Sequence, residues 1–373
     1  MKSTLGLYLH IPFCIQKCLY CDFCSFPRVT EELMRDYSRE IRRRLVASAP
    51  RCADRAVDTV YFGGGTPTLL PISCFEEILA CIREHYPLTE DCEITCECNP
   101  ASADGTYLAA LRRLGVNRLS IGLQSAHERE LRALGRAHSA EDFCAIFLDA
   151  RRAGFDNISA DVMYGIPHGT PESLGRTLDF LLDLSPEHIS AYGLKIEEGT
   201  PFDTMRERLP LPDEDTEWEM YRLLSDRLEA AGYRKYEISN FAKRGSESRH
   251  NLRYWLGEEY LGFGVAAYSY FGGERFGSSR DLSSFLTGED ITEERIALSP
   301  LDRRNEYLML RLRLSEGISE EEFSARFGVS LSSLYPPLEE RIKGGFLKRE
   351  EGRISFTDQG FFVSNTILSE MLD

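Results

Sequence analysis

The chain has 373 residues, is 42% hydrophobic like ordinary globular proteins, and carries a formal net charge of −16. This length exceeds what one core usually serves and predicts two or three domains. The acidic balance argues against nucleic acid as a partner, because duplex binding uses clustered Lys and Arg. No run of about 18 apolar residues occurs, so we expect no membrane span.

The cysteine content and the start of the chain predict the compartment. Met1-Lys2-Ser3-Thr4 lacks the pattern of a secretory signal peptide. The chain nevertheless contains eleven cysteines. Because reducing compartments keep thiols free, grouped cysteines there are more often metal ligands than disulfides. We therefore expect a cytoplasmic protein.

Apolar segments alternate with amphipathic segments over roughly residues 5 to 195. The predicted strands are Leu5–His10, Thr59–Phe62, Glu93–Cys98, Arg118–Leu123, Asn157–Tyr164 and His188–Leu194. The predicted helices are Glu31–Ala49, Ser73–His85, Asp104–Leu114, Ala140–Ala153 and Pro171–Leu184. Such alternation predicts right-handed βαβ crossovers and a parallel sheet. Six units are too few for a closed barrel of eight strands, so we expect an α/β fold with an open, three-quarter βα barrel.

Several of these strands carry polar residues along one face. The strand residues predicted to point inward are Thr95, Glu97, Asn99, Ser120, Gly122, Gln124 and Asp161. Closed barrels fill their interior with branched apolar side chains, so carboxylates and amides there predict a ligand cavity. Cys96 and Cys98 lie on the opposite face, and we expect them to pack against the helices as small hydrophobes.

The pattern changes after residue 200. Pro210, Pro212 and Asp213-Glu214-Asp215 mark a linker, and a helix is predicted from about Thr216 to Ala231. A Gly- and aromatic-rich segment follows, and from Leu301 helices lead into two short strands in an α+β pattern that resembles a winged helix. Residues 301–373 carry 10 Lys and Arg against 13 Asp and Glu, which favours a packing or lid module over DNA binding. We divide the chain into residues 1–200, 201–295 and 296–373.

Four cysteines lie close together near the N-terminus, at Cys14, Cys18, Cys21 and Cys24. The first three have the spacing C-x3-C-x2-C. Iron–sulfur clusters are normally held by four cysteines, so three ligands leave one iron of a [4Fe–4S] cluster open. The best-known exchangeable ligand for such an iron is S-adenosylmethionine (SAM). Zinc is the alternative, although zinc sites usually consist of two separated ligand pairs.

The cysteine motif with its flanks, His10-Ile-Pro-Phe-Cys14 and Tyr20-Cys21-Asp22-Phe23, resembles the radical-SAM superfamily. Within it, the string is similar to the branch of oxygen-independent coproporphyrinogen III oxidases and their heme-chaperone relatives. The resemblance covers nearly the whole chain, most strongly residues 5–200. It implies a three-quarter barrel and cluster ligands at Cys14, Cys18 and Cys21. We interpret Cys24 as a neighbouring free thiol, because in the oxidases the extra cysteine follows the third after one residue and here two intervene.

The resemblance also implies a SAM site around Phe62-Gly63-Gly64-Gly65-Thr66. These glycines allow close backbone approach to a ligand, and the absence of a following Lys-Ser/Thr excludes a Walker phosphate loop. In the family this loop holds the amino group of the methionine moiety. The residues implied to contact SAM are Tyr8, Tyr20, Gly64, Gly65, Thr66, Glu97, Gln124, Arg136 and Asp161. The alternative is a tight turn among satisfied polar residues of the barrel.

Two functions fit the resemblance. One is a chaperone that binds heme and hands it to acceptor haemoproteins; the other is an oxidase that decarboxylates two propionates of coproporphyrinogen III. Three features favour the chaperone. The chain begins only a few residues before the first predicted strand, whereas the oxidases carry a long N-terminal extension. Phe23 replaces the extra cysteine, and His250-Asn251-Leu252-Arg253-Tyr254-Trp255 matches the HNxxYW motif of the chaperones.

His250 is the candidate heme ligand in this motif, because a neutral imidazole is a good axial ligand for heme iron. The alternative is a histidine hydrogen-bonded within an aromatic cluster. We therefore expect heme as a third cofactor or cargo, beside the cluster and SAM. Radical chemistry in a chaperone is expected to extend at most to SAM cleavage, and the sequence does not identify the acceptor.

Overall fold

The computed structural model describes residues 4–372. Met1-Lys2-Ser3, in the segment for which we expect no signal peptide, lies outside them. The strands are β1 (Thr4–Ile11), β2 (Phe13–Cys14), β3 (Phe26–Pro27), β4 (Ala56–Gly64), β5 (Leu88–Cys98), β6 (Arg118–Gln124), β7 (Ile158–Tyr164), β8 (His188–Gly193), β9 (Arg234–Lys235), β10 (Asn240–Ala242), β11 (Tyr260–Phe263), β12 (Tyr268–Phe271), β13 (Glu274–Ser278), β14 (Thr292–Ala297), β15 (Ile318–Ser319), β16 (Leu347–Glu350) and β17 (Arg353–Phe356). Twelve of them form one sheet in the order β14-β13-β12-β11-β1-β4-β5-β6-β7-β8-β10-β9.

The α-helices connect these strands or follow them. They are α1 (Glu31–Ser48), α2 (Ile72–His85), α3 (Gly105–Arg113), α4 (Glu128–Ala133), α5 (Ala140–Arg152), α6 (Pro171–Leu184), α7 (Pro201–Met205), α8 (Glu214–Ala230), α9 (Arg249–Leu256), α10 (Leu282–Leu286), α11 (Pro300–Arg311), α12 (Glu320–Phe327), α13 (Leu331–Leu334), α14 (Leu338–Lys343), α15 (Asp358–Phe362) and α16 (Ser364–Met371). Over residues 4–372, no helix is both long and apolar enough to span a bilayer.

The six predicted strands are the parallel centre of the large sheet. β1, β4, β5, β6, β7 and β8 are neighbours in chain order, and each adjacent pair is parallel. β11 adds a further parallel strand beside β1, which the sequence analysis did not predict. β10 pairs antiparallel with β8 at the other side. The segment 201–295 therefore extends the sheet at both edges.

Local sequence signals explain where the helices begin and end. α6 begins with a capping box between Thr170 and Ser173, has Pro171 at its first position, and ends where Ser185 adopts a left-handed conformation. The outward faces of the strands pack on the helices in one apolar core. Phe62 of β4, for example, contacts Phe75 of α2 at a ring distance of 4.8 Å. Polar residues are thereby left on the concave face.

Cys96 and Cys98 lie in this outer core, as predicted. Both side chains are buried and belong to the hydrophobic cluster that includes Phe75. Burial raises the pKa of each thiol, to about 12 for Cys98, which keeps both neutral. Both thiols therefore pack as small hydrophobes in this core, and Cys98 also borders the cavity described below.

The C-terminal region folds around its own core. The short sheet β15-β17-β16 and the surrounding helices enclose Leu308, Phe323, Ile354 and Phe356. The antiparallel pair β16–β17 corresponds to the two predicted short strands. Tyr221 of α8 belongs to the same core, so this module packs against the helix that follows the linker.

Candidate functional site

A cavity of about 540 Å³ opens at the carboxyl ends of the parallel strands, where ligands bind in barrels of this kind. Eleven of the thirteen residues predicted from the sequence for cluster, SAM or heme binding line it. They are Cys14, Cys18, Tyr20, Cys21, Gly64, Gly65, Thr66, Glu97, Gln124, Arg136 and Asp161. Tyr8 and His250 lie outside the lining. The sequence motifs thus converge on one place although they come from separate strands and loops.

The three cysteines of the C-x3-C-x2-C motif are half-buried free thiols that face this cavity. Cys14 Sγ accepts a hydrogen bond from Thr66 Oγ1 at 3.7 Å, and Cys18 Sγ accepts one from Arg136 Nη1 at 3.6 Å. Burial raises the pKa of Cys14 and Cys21 in the absence of iron. The guanidinium beside Cys18 supplies positive charge where thiolates would bind iron.

The three thiols that face the cavity are the donor set that a [4Fe–4S] cluster with one open iron would use. Within residues 4–372, no three His, Cys, Asp or Glu side chains are grouped closely enough to hold a single metal ion. A [4Fe–4S] cube does not need that grouping, because each thiolate binds a different iron.

Cys24 is placed differently from the other three. Its side chain is 8% exposed, it does not line the cavity, and its Sγ lies 3.9 Å from the carbonyl oxygen of Arg280. This environment agrees with our interpretation of Cys24 as a neighbouring free thiol.

The glycine loop is packed directly against the cysteine loop. Gly64 has a φ of +110°, and a Cβ there would lie 2.5 Å from His10 Cε1. A Cβ on Gly65 would lie 2.7 Å from the carbonyl oxygen of Phe13. Larger residues are excluded at both positions. The backbone of this loop can therefore approach a ligand closely.

Two carboxylates project into the cavity. Glu97 accepts hydrogen bonds from Tyr61 Oη at 2.9 Å and from the Gly64 N–H at 3.0 Å. Burial and the nearby charge of Asp161 raise the pKa of Glu97 to about 7. Asp161 accepts a hydrogen bond from Ser120 Oγ at 3.1 Å, and burial raises its pKa as well. Such carboxylates can accept hydrogen bonds from an ammonium group or from ribose hydroxyls.

Amide and guanidinium groups also line the cavity, at the end of β6, between the strands of the two carboxylates, and in the segment after it. Gln124 has a φ of +69° at a register shift between β6 and β7, which turns the end of the strand. Arg136 donates to the Gly122 carbonyl at 3.0 Å, but its buried Nε has no hydrogen-bond partner among the described residues. Arg136 thus brings a buried positive charge to the lining of the cavity.

Several residues in or beside the cavity were not recognised from the sequence, among them Tyr61, Met163 and Tyr192. Tyr61 holds Glu97, while Met163 and Tyr192 line the cavity. Strand alternation contains the signal for Tyr61, because it shares the inner face of β4 with Thr59 and Gly63. Tyr61 carries no recognisable motif of its own.

Tyr8 and His250 lie side by side beneath the cavity. Their rings stack at 6.3 Å, and Tyr8 Oη is 3.1 Å from His10 Nδ1. His250 is 1% exposed, with Nδ1 bonded to Thr59 Oγ1 at 2.9 Å and Nε2 bonded to Tyr254 Oη at 2.8 Å. Both imidazole nitrogens therefore have hydrogen-bond partners, as expected for the alternative interpretation of His250 as a histidine hydrogen-bonded within an aromatic cluster. Heme ligation by His250 stays a prediction; it would require one of these two bonds to open and the buried ring to become accessible.

Comparisons with known proteins agree with this geometry. The Radical SAM superfamily matches residues 8–181, and the HemN C-terminal domain matches residues 298–363. The heme chaperone HemW of Bacillus subtilis is 34% identical, with coverage of 100% of this chain and 99% of that protein. HemW of Escherichia coli is 34% identical over 99% of this chain and 98% of that protein.

A solved structure shows the same fold. Coproporphyrinogen III oxidase (HemN) from Escherichia coli, a radical SAM enzyme, superposes with a TM-score of 0.87, covering 99% of this chain and 90% of that chain. At 24% identity this likeness establishes the fold. The prediction of an open radical-SAM barrel with a C-terminal α+β module is confirmed.

The fold and the cavity together define a radical-SAM protein, the class whose cofactors are a [4Fe–4S] cluster and SAM. Full-length relatives at this level of identity narrow the assignment. The chain belongs to the HemW family. The prediction that it falls in the heme-chaperone branch is confirmed.

Proposed function

We propose that the protein binds heme and delivers it to acceptor haemoproteins while retaining a cluster and a SAM site. The observation that carries the proposal is the mouth of the cavity. Phe23 is 66% exposed and Tyr192 is 42% exposed, and both line the same opening. Large apolar side chains exposed together mark a binding surface. The names of the full-length relatives support heme as its occupant.

The chemistry of heme matches the surroundings of these aromatic residues. Lys17 and Lys195 also line the cavity. The Lys17 ammonium would pair with one propionate, and Lys195 would exchange its present ion pair with Glu197, at 2.7 Å, for the other. Met163, which is 7% exposed, also lines the cavity, and methionine is a known axial ligand of heme iron. We infer that heme docks across this opening rather than at the enclosed His250.

We assign the deeper part of the cavity to the cluster and SAM. Cys14, Cys18 and Cys21 would hold the cluster. The groups that would hold SAM are Tyr20, Gly64, Gly65, Thr66, Glu97, Gln124, Arg136 and Asp161, with Tyr8 supporting them from below. When bound, the reduced cluster supplies the electron for cleavage of SAM. The residues of this chain orient the cofactor and shield it from water.

Coproporphyrinogen oxidation is the second candidate activity, because the oxidase shares this fold. We infer that radical chemistry here extends at most to SAM cleavage, in keeping with the heme-chaperone names of the relatives. All eleven cysteines are free thiols, which supports our placement of the protein in the reducing cytoplasm.

Heme titration of anaerobically reconstituted protein tests the proposed site. Phe23→Ser and Tyr192→Ser should each weaken heme binding about tenfold, because each removes apolar contact with the macrocycle. Tyr268→Ser is the matched control, since Tyr268 is 60% exposed but does not line the cavity. Wild-type affinity in both cavity variants would refute the site. A protein that gives no Soret change with heme would refute the function.

A further inference from the structure

Four aromatic side chains form a layer directly beneath the cavity, which we call the floor stack: Tyr8, Tyr61, His250 and Tyr254. The His250 ring lies 5.1 Å from the Tyr61 ring at an interplanar angle of 27°, and Tyr8 stacks on Tyr61 at 6.1 Å. Tyr254 meets His250 edge-on at 5.1 Å and 86°. The stack brings β1, β4 and α9 together at one point.

Hydrogen bonds to both nitrogens fix the orientation of the His250 ring. Thr59 Oγ1 and Tyr254 Oη each hydrogen-bond one ring nitrogen. The helix that carries His250 is anchored as well, because Glu93 Oε1 accepts the His250 N–H at 3.1 Å and Ser248 caps the first turn of α9. A ring held in this way is a rigid surface for its neighbours.

Tyr61 connects the His250 ring to a side chain that lines the cavity. One side of its ring lies against His250, and its hydroxyl donates to Glu97 Oε1 at 2.9 Å. The space around it is tight, since a Cβ on Gly63 would lie 2.8 Å from the Tyr61 ring and 3.0 Å from Glu97 Oε1. If His250 were missing, Tyr61 would gain room to rotate and the Glu97 carboxylate would lose its fixed donor.

We propose that His250 is a positioning residue for SAM binding: it holds Tyr61, which in turn holds the Glu97 carboxylate in the orientation that SAM requires. The HNxxYW motif would then act on the cofactor site from below, without contacting heme. Preorganised polar groups bind better because no ordering cost remains at the moment of binding. This inference rests on the placement of SAM proposed above.

A double-mutant cycle on cluster-loaded protein tests the inference, with SAM affinity measured by calorimetry. His250→Ala and Tyr61→Phe should each weaken SAM binding about tenfold. The double variant should be no weaker than Tyr61→Phe alone, because both changes remove the same support of Glu97. His250→Phe keeps a ring against Tyr61 and should restore most of the affinity.

Controls separate positioning from general destabilisation. Tyr86→Phe removes a buried hydroxyl that bonds Leu45 O and Ser48, away from the cavity, and should leave SAM affinity unchanged. Thermal melting checks that each variant is folded, and His250→Leu, which better preserves the core volume, replaces the alanine variant if that one does not fold. Additive effects in the cycle, or wild-type affinity in folded His250→Ala or His250→Leu, would overturn the inference.

Glu97→Gln distinguishes this inference from the proposed SAM site. Weak binding by Glu97→Gln together with normal binding by His250→Ala contradicts the positioning role alone. Normal binding by Glu97→Gln contradicts the placement of SAM, and the positioning role with it. Heme titration is an independent readout, because a positioning role predicts that His250→Ala retains the wild-type Soret spectrum.

Discussion

Arg136 contacts Cys18 directly: its Nη1 lies 3.6 Å from the sulfur, while its Nη2 donates to the Gly122 carbonyl at 3.0 Å. One guanidinium therefore joins a predicted cluster ligand to the strand that ends in Gln124. Burial alone would lower the pKa of the Arg136 guanidinium. The neighbouring Tyr20, Cys18 and Asp161 outweigh this effect and raise the pKa. The loop with the predicted cluster ligands and the part of the cavity proposed for SAM therefore share this cation.

Removing this cation should weaken cluster retention. We expect Arg136→Met to lose iron faster than wild type, because the charge that favours the Cys18 thiolate is gone. The iron loss of Arg136→Lys should lie between that of Arg136→Met and that of the wild type. Iron content after gel filtration is the measurement, and Arg132→Met, at an exposed arginine of the neighbouring helix, is the control. Equal retention in all four proteins would contradict a role for Arg136.

The cysteine assignment predicts different results for two neighbouring thiols. Cys18→Ala should abolish the broad visible absorption of reconstituted protein, because two thiolates do not hold the cluster. Cys24→Ala should keep it, since Cys24 does not line the cavity. Loss of absorption in Cys24→Ala with retention in Cys18→Ala would reverse the assignment.

The walls of the cavity should contribute to SAM affinity separately. Asp161→Ala is expected to weaken binding by about 1–3 kcal/mol, because a buried ligand hydroxyl would be left unpaired. Gln124→Ala should have an effect in the same direction. Calorimetry on cluster-loaded protein is the test. Unchanged affinity in both variants would place SAM elsewhere.

The sequence was sufficient for the centre of the fold and for most of the cavity. Strands such as Arg118–Gln124 were readable because βα alternation and polar inner faces coincide there. β11 was missed because it has four residues, includes Gly262, and pairs with β1 from the far end of the chain. The burial of His250 could not be predicted from the sequence either, because its hydrogen-bond partner Thr59 lies 191 residues away along the chain. Contacts between residues so far apart in the sequence are seen only in the folded structure.

Glu237 should make stability depend on pH. Its side chain is fully buried, and Oε1 has no hydrogen-bond partner among the described residues. Burial raises its pKa to about 7, above the value in the unfolded chain. Its contribution to stability is therefore complete at low pH and is lost as pH rises through about 7.

Glu237→Gln should remove this dependence. In SAM-free protein, the free energy of unfolding of the variant relative to wild type should rise by up to about 3 kcal/mol between pH 5 and pH 8. Denaturant unfolding at both values is the measurement, and Glu321→Gln, at an exposed carboxylate, is the control. A difference that is the same at both pH values would show that Glu237 does not titrate in this range.

The proposed chaperone function is tested most directly by an anaerobic comparison of heme binding and porphyrinogen turnover on the same cluster-loaded protein. With SAM, a reductant and coproporphyrinogen III, we expect no protoporphyrinogen, although slow uncoupled cleavage of SAM is compatible with a chaperone. With heme in place of the porphyrinogen, we expect a Soret shift and transfer to an added apo-haemoprotein. Sustained conversion of coproporphyrinogen III over many turnovers per chain, without heme transfer, would contradict the chaperone and establish the oxidase.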